Sequence, residues 1–246
     1  MPFRVALTAV FLVLGACSSE PTLDSSTAEG GFKLAERYEK DERFEESIAQ
    51  FSQVKNKFPY STLATEAELR IADINFKRED YIEAQGGYQT FKELHPSHPK
   101  IDYVTLRLGL SFYHQLPSTV DRDLSVADKA LLYFDEVVTS HPNSTHVAEA
   151  QRHKAKITQM LAEKEYYIAQ FYFKREKFDS ALSRFEDLLE KFPQSNLTAR
   201  ALKGAAISAH KIKDSSKANG YLQRLQAQFA DSKELREAMG VTDHAE

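Results

Sequence analysis

Apolar residues recur along this chain with a helical period, and the recurrence is itself repeated. A tetrapeptide punctuates it: Phe58-Pro59-Tyr60-Ser61, His95-Pro96-Ser97-His98, His141-Pro142-Asn143-Ser144, Phe192-Pro193-Gln194-Ser195, and a weaker Phe229-Ala230-Asp231-Ser232. Proline lacks the amide hydrogen and clashes with the preceding turn, so it stops a helix. The serine two places later can cap the next one. Twelve places before each proline position stands a small residue: Ser47, Ala84, Ala130, Ala181 and Ala218. Eight places before it stand Phe51, Tyr88, Phe134, Phe185 and Leu222, and five places before it Val54, Phe91, Val137, Leu188 and Leu225. Steps of four and three put these residues on one helix face. Further upstream, Ala35, Ala72, Gly109, Ala169 and Ala206 mark a first helix in each unit. The pattern therefore predicts helix pairs, each pair closed by a stop, a turn and a start.

Two departures from even spacing carry information. Gly109 to Ala130 is nine residues longer than Ala72 to Ala84, and the excess falls in Gln115–Asp123, a loop inside the third pair. Pro142 to Pro193 is a step of 51 residues, and Thr145 to about Glu176 contains neither proline nor glycine, so one long helix is expected there. With its small residues, aromatics and terminal proline, the pattern resembles the tetratricopeptide repeat from about Gly31 to Gly240. The expected fold is all-α, an α-solenoid of five such pairs, with the long helix joining repeats 1–3 (31–143) to repeats 4–5 (within 144–240) and a tail at 241–246.

The chain's start is of another kind. Arg4 precedes an almost wholly apolar run, Val5–Gly15, too short to remain as a membrane span. Leu14-Gly15-Ala16-Cys17 ends it, and Cys17 is the one cysteine in the sequence. This resembles a bacterial lipobox, which implies a leader at 1–16 and a diacylglycerol thioether on Cys17 as the only covalent addition. Ser18 follows where an aspartate would resemble an inner-membrane retention signal, so the outer membrane is the expected destination. Residues 17–30 are small, polar and acidic, and read as a flexible tether.

Net charge of −4 and a pI near 6.1 argue against a general nucleic-acid binder. No phosphate loop, nucleophile elbow or paired-histidine metal motif occurs. The eight histidines do not form ligand pairs at helical spacing, and neither catalysis nor a cofactor is expected. What remains is a surface. By resemblance to the repeat family, Phe32, Leu69, Leu106, Tyr166 and Lys203, with Glu39, Phe76, Tyr113, Phe173 and His210, face a shared groove. Lys40, Lys77, His114, Lys174 and Lys211, together with Lys33, Arg70 and Arg107, give it a basic border. Such a groove suits an extended peptide with apolar side chains and a carboxylate.

Several stretches resemble one family more narrowly, the BamD lipoproteins of the β-barrel assembly (Bam) complex. They are His98-Pro99-Lys100-Ile101-Asp102-Tyr103-Val104, Arg107-Leu108-Gly109-Leu110, Asp121-Arg122-Asp123 in the inserted loop, and Leu161–Tyr172. The resemblance implies a non-catalytic scaffold on the periplasmic side of the outer membrane. It would dock on the barrel protein BamA beside other Bam subunits and receive C-terminal targeting segments of unfolded barrel proteins. Pro59, Tyr60, Phe76, Arg107 and Tyr113 are the candidate peptide contacts it implies, and Arg200 the candidate BamA contact. The alternative is another envelope repeat adaptor, such as one coordinating peptidoglycan synthesis, although such adaptors usually lack a lipobox.

Overall fold

A computed structural model describes residues 24–242 of the chain. The expected leader, Cys17 and most of the expected tether lie outside these residues, as do residues 243–246. Among the described residues the structure is all-α. Its helices are α1 (Ala28–Lys40), α2 (Phe44–Lys57), α3 (Thr62–Lys77), α4 (Tyr81–Leu94), α5 (Ile101–His114), α6 (Ala127–Ser140), α7 (Val147–Phe173), α8 (Phe178–Lys191), α9 (Thr198–Lys211), α10 (Ser215–Gln228) and α11 (Lys233–Thr242). The long helix is α7, and the third pair carries the inserted loop between His114 and Ala127. Helix α1 begins before Gly31, so the expected tether is too long at that end: the Thr27 hydroxyl accepts from the Gly30 amide and caps the first turn.

The turns show how the sequence starts and stops these helices. Phe58, His95, His141, Phe192 and Phe229 each close a helix, and the backbone amide of each donates to the carbonyl four residues back. Ser61, Ser144, Ser195 and Ser232 then accept from the amides of Leu63, His146, Leu197 and Leu235. In the second mark, His98 occupies the serine's place, and its Nδ1 accepts from the Lys100 amide. Within pairs one, two, four and five the turn has a different device. Glu42, Glu79, Glu176 and Lys213 all have positive φ, between 56° and 67°. In each case the next residue's amide reaches five residues back, as from Arg43 to the Tyr38 carbonyl and from Asp80 to the Asn75 carbonyl. This is the left-handed helix ending usually made by glycine.

The chain divides into two compact units, one running to Glu68 and the other starting at Leu69. In the first, α1 and α2 pack closely because Ala35 faces Ser47, whose hydroxyl donates to the Ala35 carbonyl at 2.8 Å. Phe32 and Phe51 meet edge to face beside them, with ring centres 5.0 Å apart. The second unit holds two hydrophobic clusters. One gathers Tyr88, Phe91, Leu108, Phe134 and Ile157; the other gathers Ala162, Phe185, Leu188, Leu202 and Leu225. Helix α7 contributes to both. The small and aromatic positions read from the sequence are buried with one exception: Leu222, in the degenerate fifth repeat, is half-buried.

Small residues are required at specific crossings. A Cβ on Gly204 would lie 2.3 Å from the Phe185 ring, and one on Gly109 would lie 2.9 Å from the Phe134 ring. Both rings are fully buried and cannot swing away. Gly204→Ala is therefore expected to destabilise the protein by about 1–3 kcal/mol through overpacking, read as a lower urea midpoint at an unchanged slope.

Candidate functional site

The expected groove residues separate into two groups. Phe32, Leu69 and Leu106 are core: their exposures are 8%, 1% and 2%. The expectation that they line an open groove is corrected, because neighbouring helices close over that position. Phe76, Tyr113, Phe173 and His210 are half-buried, each presenting an edge to solvent.

Around Phe76 the second unit builds a layered site. Phe76 lies in the last turn of α3, Tyr81 opens α4, and Arg107, Tyr113 and His114 come from α5. The Arg107 guanidinium lies 3.6 Å above the centre of the Phe76 ring, a cation–π contact. Tyr81 and His114 stack in parallel at 4.6 Å, and the Phe76 ring meets both edge-on, at 5.2 and 5.6 Å. Tyr113 continues the run: it packs against His114 on one side and, at 4.6 Å, against His153 of α7 on the other. The sequence candidates Phe76 and Tyr113 thus belong to one continuous set of rings, and Arg107 is stacked on it. Pro59 and Tyr60 lie on the α2–α3 turn in the first unit, where Tyr60 is fully exposed.

Arg107 is held by a relay that sequence reasoning missed. Its Nε donates to the Tyr88 hydroxyl at 3.2 Å, and that hydroxyl donates to Asp73 Oδ1 at 2.6 Å. Tyr103 donates to the same oxygen at 2.7 Å. Burial, then the Asp73 charge, push both phenols well above the ordinary tyrosine range, so both stay protonated donors. One carboxylate thereby fastens α3, α4 and α5 together and fixes the guanidinium's plane. The terminal nitrogens of Arg107 have no hydrogen-bond partner among the described residues. A pre-oriented guanidinium with a free edge beside aromatic faces is suited to a carboxylate attached to an apolar group. Asp73 could have been flagged from sequence as an acidic residue adjoining the small Ala72.

Arg200 is exposed in the first turn of α9 and has no ion-pair partner among the described residues. It follows by five residues Ser195, which lines a cleft of about 480 Å³ where the middle of α7 meets the α8–α9 turn. Ala155, Phe192 and Pro193 give that cleft apolar walls, and Lys154 and Lys191 also line it. Among the described residues, no helix is long and apolar enough to cross a membrane.

The chain matches the outer-membrane lipoprotein family YfiO over residues 26–225, from just before α1 into α10. It is similar to the outer membrane protein assembly factor BamD of Neisseria meningitidis, at 25% identity over 207 residues and 78% of each chain. Against BamD of Pasteurella multocida the identity is 26% over 207 residues, covering 80% of this chain and 79% of that one. Against BamD of Rickettsia prowazekii it is 27% over 204 residues, again 80% and 79%.

The aromatic run has a pH signature. His153 is buried between Tyr113 and Phe134, and its Nδ1 has no hydrogen-bond partner. Burial lowers its pKa, with Lys156 and Arg152 adding to the shift and Glu149 opposing it. His114 is lowered too, by burial and then by Arg107. A histidine with a folded pKa below its unfolded value takes its proton more readily in the unfolded chain. Stability is then full above the ordinary histidine range and falls as pH drops through it. Urea unfolding at pH 7.5 and 5.5 is expected to show this loss, and His153→Phe is expected to remove part of it, leaving the His114 share.

Proposed function

The chain belongs to the YfiO family of outer-membrane lipoproteins, whose relatives are outer-membrane protein assembly factors, and on that premise we propose that it receives the C-terminal ends of unfolded barrel proteins at the Phe76–Arg107–Tyr113 site. Its work is binding, as a repeat scaffold of the Bam assembly complex, rather than catalysis. The observation that carries the peptide reading is the free edge of Arg107, fixed in plane by Tyr88 and Asp73 and set against the Phe76 ring. A peptide ending in an aromatic residue offers both complements at once. Its carboxylate pairs with the two terminal nitrogens of Arg107, and its ring lies against Phe76 or Tyr113. Because the relay already fixes Arg107, little ordering remains for binding to impose, which favours affinity. Tyr60 and Pro59 are proposed as a separate contact at their own turn.

The C-terminal half serves a different partner in this reading. Exposed Arg200 and the lysine-flanked cleft beside the α8–α9 turn are proposed to meet an acidic edge of BamA's periplasmic domain. The lipid on Cys17 is proposed to hold the protein to the outer membrane from the periplasmic side, with no cofactor involved.

Three measurements test this. A labelled peptide ending in phenylalanine with a free carboxylate is expected to bind about tenfold more tightly than the same peptide with a C-terminal amide, and Arg107→Gln is expected to erase the difference. Equal binding of the two peptides by the unaltered protein would reject the carboxylate role. In cells, depletion of the protein is expected to lower outer-membrane porin levels, and Arg200→Glu to reduce copurification of BamA while leaving peptide affinity in place.

A further inference from the structure

We propose that the outer ridge of α4, with the neighbouring edge of α6, is a docking groove for an amphipathic partner helix that carries basic residues. Ile82, Gly86, Thr90 and Leu94 follow one another at four-residue steps along α4, and all are exposed. Ile82 is 68% exposed and Leu94 63%, unusual values for large apolar side chains in ordered helix. Between them, a Cβ at Gly86 would meet nothing within 4 Å. No packing inside this chain requires the glycine, although glycine weakens a helix interior relative to alanine. Gly220 on α10 is equally open, but its exposed neighbours Lys217, Gln223 and Arg224 are polar. A small residue centred in a four-step ridge with apolar ends lets a second helix lie close across it.

Helix α6 supplies the other wall. Lys92 pairs with Glu136 at 2.7 Å, and the Tyr133 hydroxyl donates to Gln89 at 2.8 Å. Both links join residues 44 apart, so α4 and α6 run alongside in the same direction. That offset sets Leu132, 62% exposed, level with the Gly86–Thr90 stretch. It also sets Glu83 and Asp128 nearly level at one end, both exposed and neither ion-paired among the described residues. Glu93, at the other end, is held by Gln89. Of the nearby cations, Lys92 is neutralised by Glu136, and Lys129 is turned toward the Phe112 ring. An apolar seat with uncompensated acids at one end selects a helix with an apolar stripe and lysine or arginine beside it.

The test uses the full chain and a labelled helical peptide of alanine, leucine and lysine with one leucine stripe, against the same peptide with glutamate in place of lysine. Saturable binding of the lysine peptide alone is expected. Gly86→Leu, which fills the seat with a good helix former, is expected to weaken it about tenfold without lowering the melting temperature. Glu83→Lys with Asp128→Lys is expected to reverse the peptide preference. Equal binding of both peptides, or affinity untouched by Gly86→Leu, would overturn the proposal. Self-association of the unliganded chain that Gly86→Leu abolishes would also overturn it, by assigning the ridge to a second copy.

Discussion

Two helices can lie flank to flank only where neither carries bulk at the crossing, and this chain spends its smallest residues on meeting that condition. Ala35 admits Ser47 closely enough for a hydroxyl-to-carbonyl hydrogen bond. Gly87 would bring a Cβ within 2.9 Å of Ala72 if it had one. At Gly109 the space left free is filled by the Phe134 ring from the second helix of the same pair, and at Gly204 by the Phe185 ring from the second helix of the preceding pair. Once those approaches are fixed, the ring-to-small register fixes where every other side chain of the pair points. The proline marks and the left-handed turn residues then only need to return the chain for the next crossing.

The candidate site grows from what this packing leaves over. Helix α5 gives Leu108 and Gly109 to the core, and the same turns of helix carry Arg107 and Tyr113 to the half-buried side. A guanidinium there would ordinarily sample many orientations. The Asp73 carboxylate prevents it by drawing in two phenols, one of which accepts from Arg107. Leaving that half-buried carboxylate without its donors would be costly, so the same relay that orients Arg107 also holds three helices in register. Recognition and local stability share one set of atoms.

Much of this was legible in the sequence. The small and aromatic positions, the proline punctuation, the long α7 and the inserted loop all follow from period and steric rules acting within one helix or one turn. What escaped depends on neighbours across space. Leu69 and Leu106 have the spacing of a groove-facing position, yet helices packed alongside cover them. Asp73 carries no signal of its own in the sequence, because the two tyrosines that close on it stand 15 and 30 residues away. His98 took over a capping role that composition assigns to serine, and glutamate adopted a left-handed conformation that composition assigns to glycine. In each case local preference was overruled by what surrounds the residue.

Helix α7 gives Ile157 to one cluster and Ala162 to the next. Because a helix advances about 100° and 1.5 Å per residue, those five residues act as a phase gauge between the two halves of the second unit. One residue inserted there would swing every downstream pair, Arg200 included, by more than a quarter turn. The same insertion in the exposed part of the loop after His114 would leave the helix phase unchanged. Length variation in descendants of this sequence is therefore channelled into the loop, while the middle of α7 keeps its count.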